Sequence, residues 1–366
     1  MQTLKNLARL SALALPLANP IHADDPSFLS RLHHSDTLAS AVPANGDLNP
    51  YGVAVVPATS GALVANNILV SNFNNSANLQ GTGTTIVQVS PGGNPTLFAQ
   101  IDAKSLPGAC PGGVGLTTAL VALRSGFVVV GSLPTADGTS ATAQAGCLIV
   151  LNSNGQVVST ISGNGINGPW DMTAMDMGTS AWLFVTNVLN GTVAAGGNVV
   201  AQGSVLRIGL SIPMGGLPAA TSFTTIAGAF DERTDPGALV VGPTGLALGA
   251  DGTLYVADTV NSRIASISHA LTTSTDVGTG TTVAQGRAVK QPLGLAITPN
   301  GDIITVNAAD GLMVEITPDG QQDGVRFVDV SHSRNGAGTL FGLAVAPAGD
   351  GVYFVDDGSN TLNILH

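Results

Sequence analysis

The stretch AFDERTDPG gathers three carboxylates, Asp231, Glu232 and Asp235, into one short segment. Hard oxygen ligands spaced this way could hold calcium, or magnesium with some waters retained. Arg233 stands inside the cluster and would offset part of its charge, so a solvated loop with a local ion pair is the other reading. Elsewhere the residue types that do chemistry are scarce. The glutamates are Glu232 and Glu315 alone, and His33, His34, His269, His332 and His366 lack the clustered spacing of a zinc site. No serine stands in a nucleophile elbow, and no glycine-rich phosphate loop leads into a helix. What the residues offer is oxygen ligation and hydrogen bonding.

The elements that must position them come from a repeated phrase. PTGLALGADGTLYVAD (Pro243 to Asp258), PLGLAITPNGDIITVN (Pro292 to Asn307) and LFGLAVAPAGDGVYFVDD (Leu340 to Asp357) each read as a turn, an apolar run, a tight turn at Asn-Gly or Asp-Gly and a second apolar run. Two adjacent antiparallel strands satisfy that pattern. Gly245, Gly294 and Gly342 recur after 49 and then 48 residues, the period of one four-stranded propeller blade. After Asp258 the chain continues TVNSRIASI, placing Asn261 and Arg263 in a turn that leads into a third strand, and Asn360 takes the matching place after Asp357. With Asp258, Asn261, Arg263 and Ile264 in place, the chain resembles the NHL-repeat family of six-bladed β-propellers. The second and third of these copies lack the arginine.

Worn copies begin at Pro50, Thr117 and Pro169, the second without the proline and first glycine and the last with Asp171 in place of that glycine. Six copies fill one closed domain: an all-β, six-bladed propeller of four-stranded antiparallel blades over residues 37–366. The last copy stops at His366 after three strands, whereas Thr37 to Val42 carries the outer-strand phrase before the first copy. That N-terminal segment is expected to complete the last blade and remove the open edges. With 44% apolar, 10% charged and 4% aromatic residues, the core must be built from Val, Leu, Ile and Ala.

Residues 1–23 read as an export leader, with Lys5 and Arg9 ahead of the apolar run Leu10 to Ala18 and a cleavage point after Ala23; residues 24–36 would form an N-terminal extension. The run is too short for a membrane span. Losing Lys5 and Arg9 would take the net charge from −11 to −13, which disfavours nucleic acid and anionic surfaces as partners. The expected address is a bacterial periplasm or the medium, and the expected state a monomer. In such a compartment Cys110, between blades one and two, and Cys147, closing an inner-to-outer loop of blade two, fall on one face and are expected to form a disulfide.

That face also carries the insertions. Blade one turns through NFNNSANLQGTGT, blade two through SLPTADGTSATAQAG and blade three through NVLNGTVAAGGNVVAQG, all rich in hydrogen-bonding residues. Long loops gathered on one face are where binding is built, although tolerated surface insertions read the same way. Two rings surround the axis beneath them. The second strand of each blade ends at Asn72, Ser132, Asn187, Asp258, Asn307 or Asp357, where side chains can cap the following turn or face a ligand. The residue ahead of the opening glycine is Tyr51, Thr118, Trp170, Thr244, Leu293 or Phe341. These aromatics would suit an amphipathic ligand at a channel mouth, or wedge between blades.

The expectation is a binding or interaction scaffold for a protein, peptide or carbohydrate, with Tyr51, Asn72, Trp170, Asp171, Asn187, Asp258, Asn307, Phe341 and Asp357 as candidate ligand contacts. The alternative, implied by resemblance to six-bladed lactonases and streptogramin lyases, is a metal-assisted lyase or hydrolase at the channel mouth using calcium or magnesium. The first inner strand lacks the glutamate that a lactonase resemblance implies.

Overall fold

The structure is a computed structural model that describes residues 27–331 and 338–366. The expected leader and His332 lie outside the described residues. Six antiparallel sheets stand around one axis. Counting strands a to d outward, the innermost strands are Leu48–Val55, Leu116–Ala122, Pro169–Asp176, Pro243–Leu248, Pro292–Ile297 and Leu340–Val345. Asn300-Gly301 shows why the repeat folds as it does: Gly301 at φ 93° makes a turn that a side chain would strain, between strands rich in β-branched residues. Blades pack face to face, so the core is divided into clusters such as Ile86, Leu116, Val130 and Ile149 between blades one and two.

Around the axis the packing tightens to backbone contact. A Cβ on Gly245 would lie 2.0 Å from the Leu293 carbonyl, and one on Gly342 would lie 2.2 Å from the Tyr51 carbonyl. Glycine opens the repeat because neighbouring inner strands leave no room for a side chain there.

The ring closes as the two termini implied, with a small shift in bounds. Strand d of blade six is Ser35–Ser40, which pairs antiparallel with Thr361–Leu365, Ser35 opposite Leu365 and Ser40 opposite Thr361. The segment just ahead of this strand is also anchored. A 3-10 turn at Leu29–Arg31 buries Phe28, Leu29 and Leu32, and the Glu315 carboxylate on strand c of blade five accepts from the Phe28 and Leu29 amides, each at 2.8 Å, and from Ser27 Oγ. Arg326 Nε donates to the Leu32 carbonyl at 3.0 Å. The chain therefore fastens blade five as well as blade six.

Blade three departs most from the others. Its strand d, Ala219–Asp235, runs beyond the sheet, pairs its end with Leu239–Val241 and forms a hairpin over the axis. The sequence AFDERTDPG is thus strand and hairpin rather than a loop entering blade four. Cys110 and Cys147 form a disulfide with their Cα atoms 5.1 Å apart. No helix among the described residues is long and apolar enough to cross a membrane.

Removing residues up to Ser40 strips the outer strand from blade six and the apolar anchor from blade five. Each of Phe28, Leu29 and Leu32 contributes roughly 1.5–3 kcal/mol by burial. The truncated chain should lose several kcal/mol in chemical denaturation and melt well below the full chain; coincident melting curves would contradict the closure.

Candidate functional site

The aromatics of the inner ring meet at the axis. Tyr51, Trp170 and Phe341 are 1%, 3% and 1% exposed. The Tyr51 ring stacks on Phe341 with centroids 3.8 Å apart and on Phe73 at 4.4 Å, while Trp170 lies 6.2 Å from Phe341. They plug the axis on the loop face instead of lining an open mouth. Above them lies the blade-three hairpin, held by the insertions of blades one and two and by the inner strand of blade three. Trp170 Nε1 donates to the Val240 carbonyl at 3.1 Å, Ser140 Oγ to Leu239 at 2.8 Å and Gln80 Nε2 to Pro236 at 2.7 Å. The long loops therefore clamp a lid onto the aromatic plug.

The acidic cluster does not converge. Asp231 and Glu232 are consecutive on a strand and point to opposite sides. Asp231 accepts from Asn261 Nδ2, whereas Glu232 is fully buried, accepts from the Asn190 amide at 2.9 Å, and is pushed up to about 8 by that burial. Asp235 pairs with Arg233 at 2.8 Å and caps the Gly237 and Ala238 amides. Among the described residues, no group of three or more His, Cys, Asp or Glu is placed to share an ion. Strand alternation, invisible when the segment is taken for a loop, separates these carboxylates.

The ring at the ends of the b strands is bonded largely to the protein, with Asn72 Oδ1 and Asn187 Nδ2 left without partners. Asn72, Asn187, Asp258 and Asn307 are fully buried. Asn72 Nδ2 donates to the Ala41 carbonyl, Asn187 Oδ1 accepts from the Asn167 amide, and Asn307 Nδ2 donates to Ala288 and to Asp310. Asp258 accepts from Arg263 Nε at 2.9 Å and from Asn261, while the same guanidinium donates to the Thr279 carbonyl and Thr282 Oγ1. One ion pair so ties the second strand of blade four to its outer strand. In blade six the matching residue is Asp356, opposite Leu340, not Asp357, which is the second of two consecutive aspartates and lies one residue past the strand.

Asp357, set just past that ring, helps line a cavity of about 380 Å³ on the loop face, together with Asn49, Asn74, Asn78, Gln80 and Asn360. Asn49, Asn78 and Asn360 have φ of 65°, 58° and 56°, a left-handed conformation that asparagine tolerates best among residues with a side chain. Their amide groups are largely spoken for: Asn74 Nδ2 donates to Asn78 Oδ1 at 2.7 Å and Asn360 Oδ1 accepts from the Asn49 amide at 2.8 Å. Asn74 Oδ1 and Gln80 Oε1 are left buried without a partner in the protein. Burial, then the charges of Asp356 and Asp329, pushes the Asp357 carboxyl up to about 8, so it is chiefly an O–H donor at neutral pH. Sequence reasoning found Asp357 but missed the asparagines around it, whose signal was the run of Asn in the first insertion.

Asp171 sits where other blades carry Gly52, Gly245, Gly294 or Gly342. It belongs to the far side of the plug, at the inner end of a well of about 320 Å³ that runs down the axis to the short-turn face. Its Oδ2 accepts from the Leu246 amide of blade four at 2.9 Å. Burial pushes its carboxyl up to about 7, partly offset by the Leu246 and Met172 amides. The candidate contacts thus separate into a polar cavity above the plug and a single acid below it.

Against known proteins, the NHL repeat family matches residues 241–265, the segment that holds Asp258, Asn261 and Arg263. Blade four is an NHL repeat. No curated protein matches the chain by sequence. Among solved structures, the NHL-bearing propeller is similar to a gluconolactonase from Xanthomonas campestris (15% identity, 91% of this chain and 90% of that one, TM-score 0.57). It is also similar to regucalcin, a calcium-binding protein from Agrobacterium tumefaciens (12% identity, 89% and 92% covered, TM-score 0.54). A virginiamycin B lyase from Staphylococcus aureus follows at TM-score 0.50, with 15% identity over 91% and 85% of the two chains. At these identities the likeness is one of fold.

The raised pKa of Asp171 sets the sign of a stability effect. Below the ordinary aspartate range both folded and unfolded chains hold the proton, and nothing is lost. As pH rises toward 7 only the unfolded chain ionises freely, so stability falls, by up to about 4 kcal/mol for a shift of this size. Asp171→Asn should therefore melt higher than the parent at pH 8 and nearly with it at pH 4. Parallel melting curves across that range would show that the acid is not held in this environment.

Proposed function

We propose that the NHL-bearing propeller is an exported binding protein that takes a neutral, hydroxyl-rich ligand, a carbohydrate, in the loop-face cavity beside Asp357. The observation that carries this reading is the match of groups: Asn74 Oδ1 and Gln80 Oε1 are acceptors without partners, and Asp357 presents a donor. Leaving buried acceptors unmade costs about 1–3 kcal/mol each, which a hydroxyl-bearing ligand would recover. Among the described residues no Lys, Arg or His lines the cavity. Its size is that of a small-molecule site.

The metal-assisted reading gains less. Gluconolactonase and virginiamycin B lyase structures share the fold, and propellers host catalysts and binders alike. Calcium or magnesium would need the carboxylates of the AFDERTDPG segment to converge, and they diverge. Export rests on the leader pattern of residues 1–23 and is supported by the Cys110–Cys147 bond, a linkage that persists in oxidising compartments.

A glycan array followed by calorimetry on the hit tests the ligand. Asp357→Leu should weaken binding roughly tenfold or more, for a lost hydrogen bond to a buried group, and affinity should fall above about pH 8 as Asp357 ionises. An array without hits, or full affinity in Asp357→Leu, would remove the proposal. For export, the protein recovered from periplasm or medium should begin near Asp24 and resist thiol alkylation until reduced.

A further inference from the structure

The well below the plug is separate from the loop-face cavity. Its walls are the inner strands of all six blades, with apolar side chains from Val53 and Leu120 around to Leu295 and Leu343. The ionisable groups on those strands that face it are two, Asp171 at the inner end and Asp176 toward the open end; among the described residues no Lys, Arg or His lines it. Asp176 already accepts from the Arg124 amide at 2.6 Å and the Gly178 amide at 2.8 Å. Asp171 is 8% exposed, and among the described residues no side chain of opposite charge answers it.

Structure alone does not call for a charge at this place. Gly52, Gly294 and Gly342 fill the equivalent position in other blades, and a carboxamide oxygen would accept the Leu246 amide equally well. Burying an unpaired carboxylate is costly, so a site that retains one is built to be completed by something else. Size, walls that mix apolar side chains with polar surface, and a lone acid at the closed end define what completes it.

We propose that this well is a second binding site, which takes a small organic monocation: an apolar body against the inner strands and an ammonium group against the Asp171 carboxylate. The ammonium would donate to the Asp171 oxygen that is turned from Leu246 and neutralise it, and the apolar body would displace the water of a 320 Å³ space. Because the cation needs the ionised acid, its affinity should rise with pH through about 7. Asp176, nearer the solvent and already bonded, adds attraction at the entrance.

The test is calorimetry of the intact chain with cyclohexylammonium and a series of C4 to C8 alkylammonium chlorides, using cyclohexanol as the neutral isostere. Expected is saturable one-to-one binding at pH 8, at least tenfold weaker for cyclohexanol, for Asp171→Asn and at pH 5.5. Asp171→Asn keeps the acceptor for Leu246, so a cooperative melt shows that its loss of binding is a loss of charge. Ala296→Phe leaves Asp171 in place but fills the well, and should abolish binding too. No saturable binding by any member of the series, or binding unchanged in either variant, would overturn the proposal.

Discussion

Everything in this molecule hangs on how closely six inner strands can approach one axis. At Gly294 a Cβ would stand 2.3 Å from the Phe341 carbonyl, well inside any real contact. Such a ring cannot be packed by side chains at that level; it is packed by backbone, and glycine is the residue that permits it. The constraint has two consequences. The residue ahead of each glycine is forced above the ring, where Tyr51, Trp170 and Phe341 meet and seal the axis, and the residues after it line a shaft that stays open below. A closed ring also needs its last sheet completed, which explains why the two ends of the chain share blade six.

The sealed end is reinforced beyond what a plug requires. Leu239, Val240 and Val241 cover the aromatics, and Gln80, Ser140 and Trp170 reach up from three blades to hold that hairpin. Insertions that look like free loops in the sequence thus spend several of their hydrogen bonds on the protein. The polar atoms left over, Asn74 Oδ1 and Gln80 Oε1, lie beside Asp357 at the border between the lid and blade six. The proposed binding surface rests here on incomplete satisfaction of buried polar groups.

Repetition made the ring legible in the sequence. Spacing of Gly245, Gly294 and Gly342 set the blade period, the TLAS phrase located the closing strand to within two residues, and the two cysteines fell on one face because loop geometry in a propeller is fixed. Local irregularity was not legible. Two consecutive aspartates close the last copy and the strand ends on the first, Asp356, rather than on Asp357, and nothing in AFDERTDPG announces a strand that outruns its sheet. The sequence could place Asp171 at a ring position but could not say on which side of the plug its carboxylate would emerge, since that depends on which neighbour opens to receive it.

Asp171 shows why departures from a repeat are informative in physical terms. Five blades satisfy the axis with glycine or with Ala119, at no electrostatic cost. Blade three instead places a carboxylate where burial opposes its ionisation, next to a blade-four amide that compensates only in part. A propeller can absorb such a cost because its stability is spread over many blade-to-blade contacts, so one costly group does not threaten the ring. Symmetry supplies the surplus, and the broken position is where that surplus is available to hold a group in a state that water would not favour.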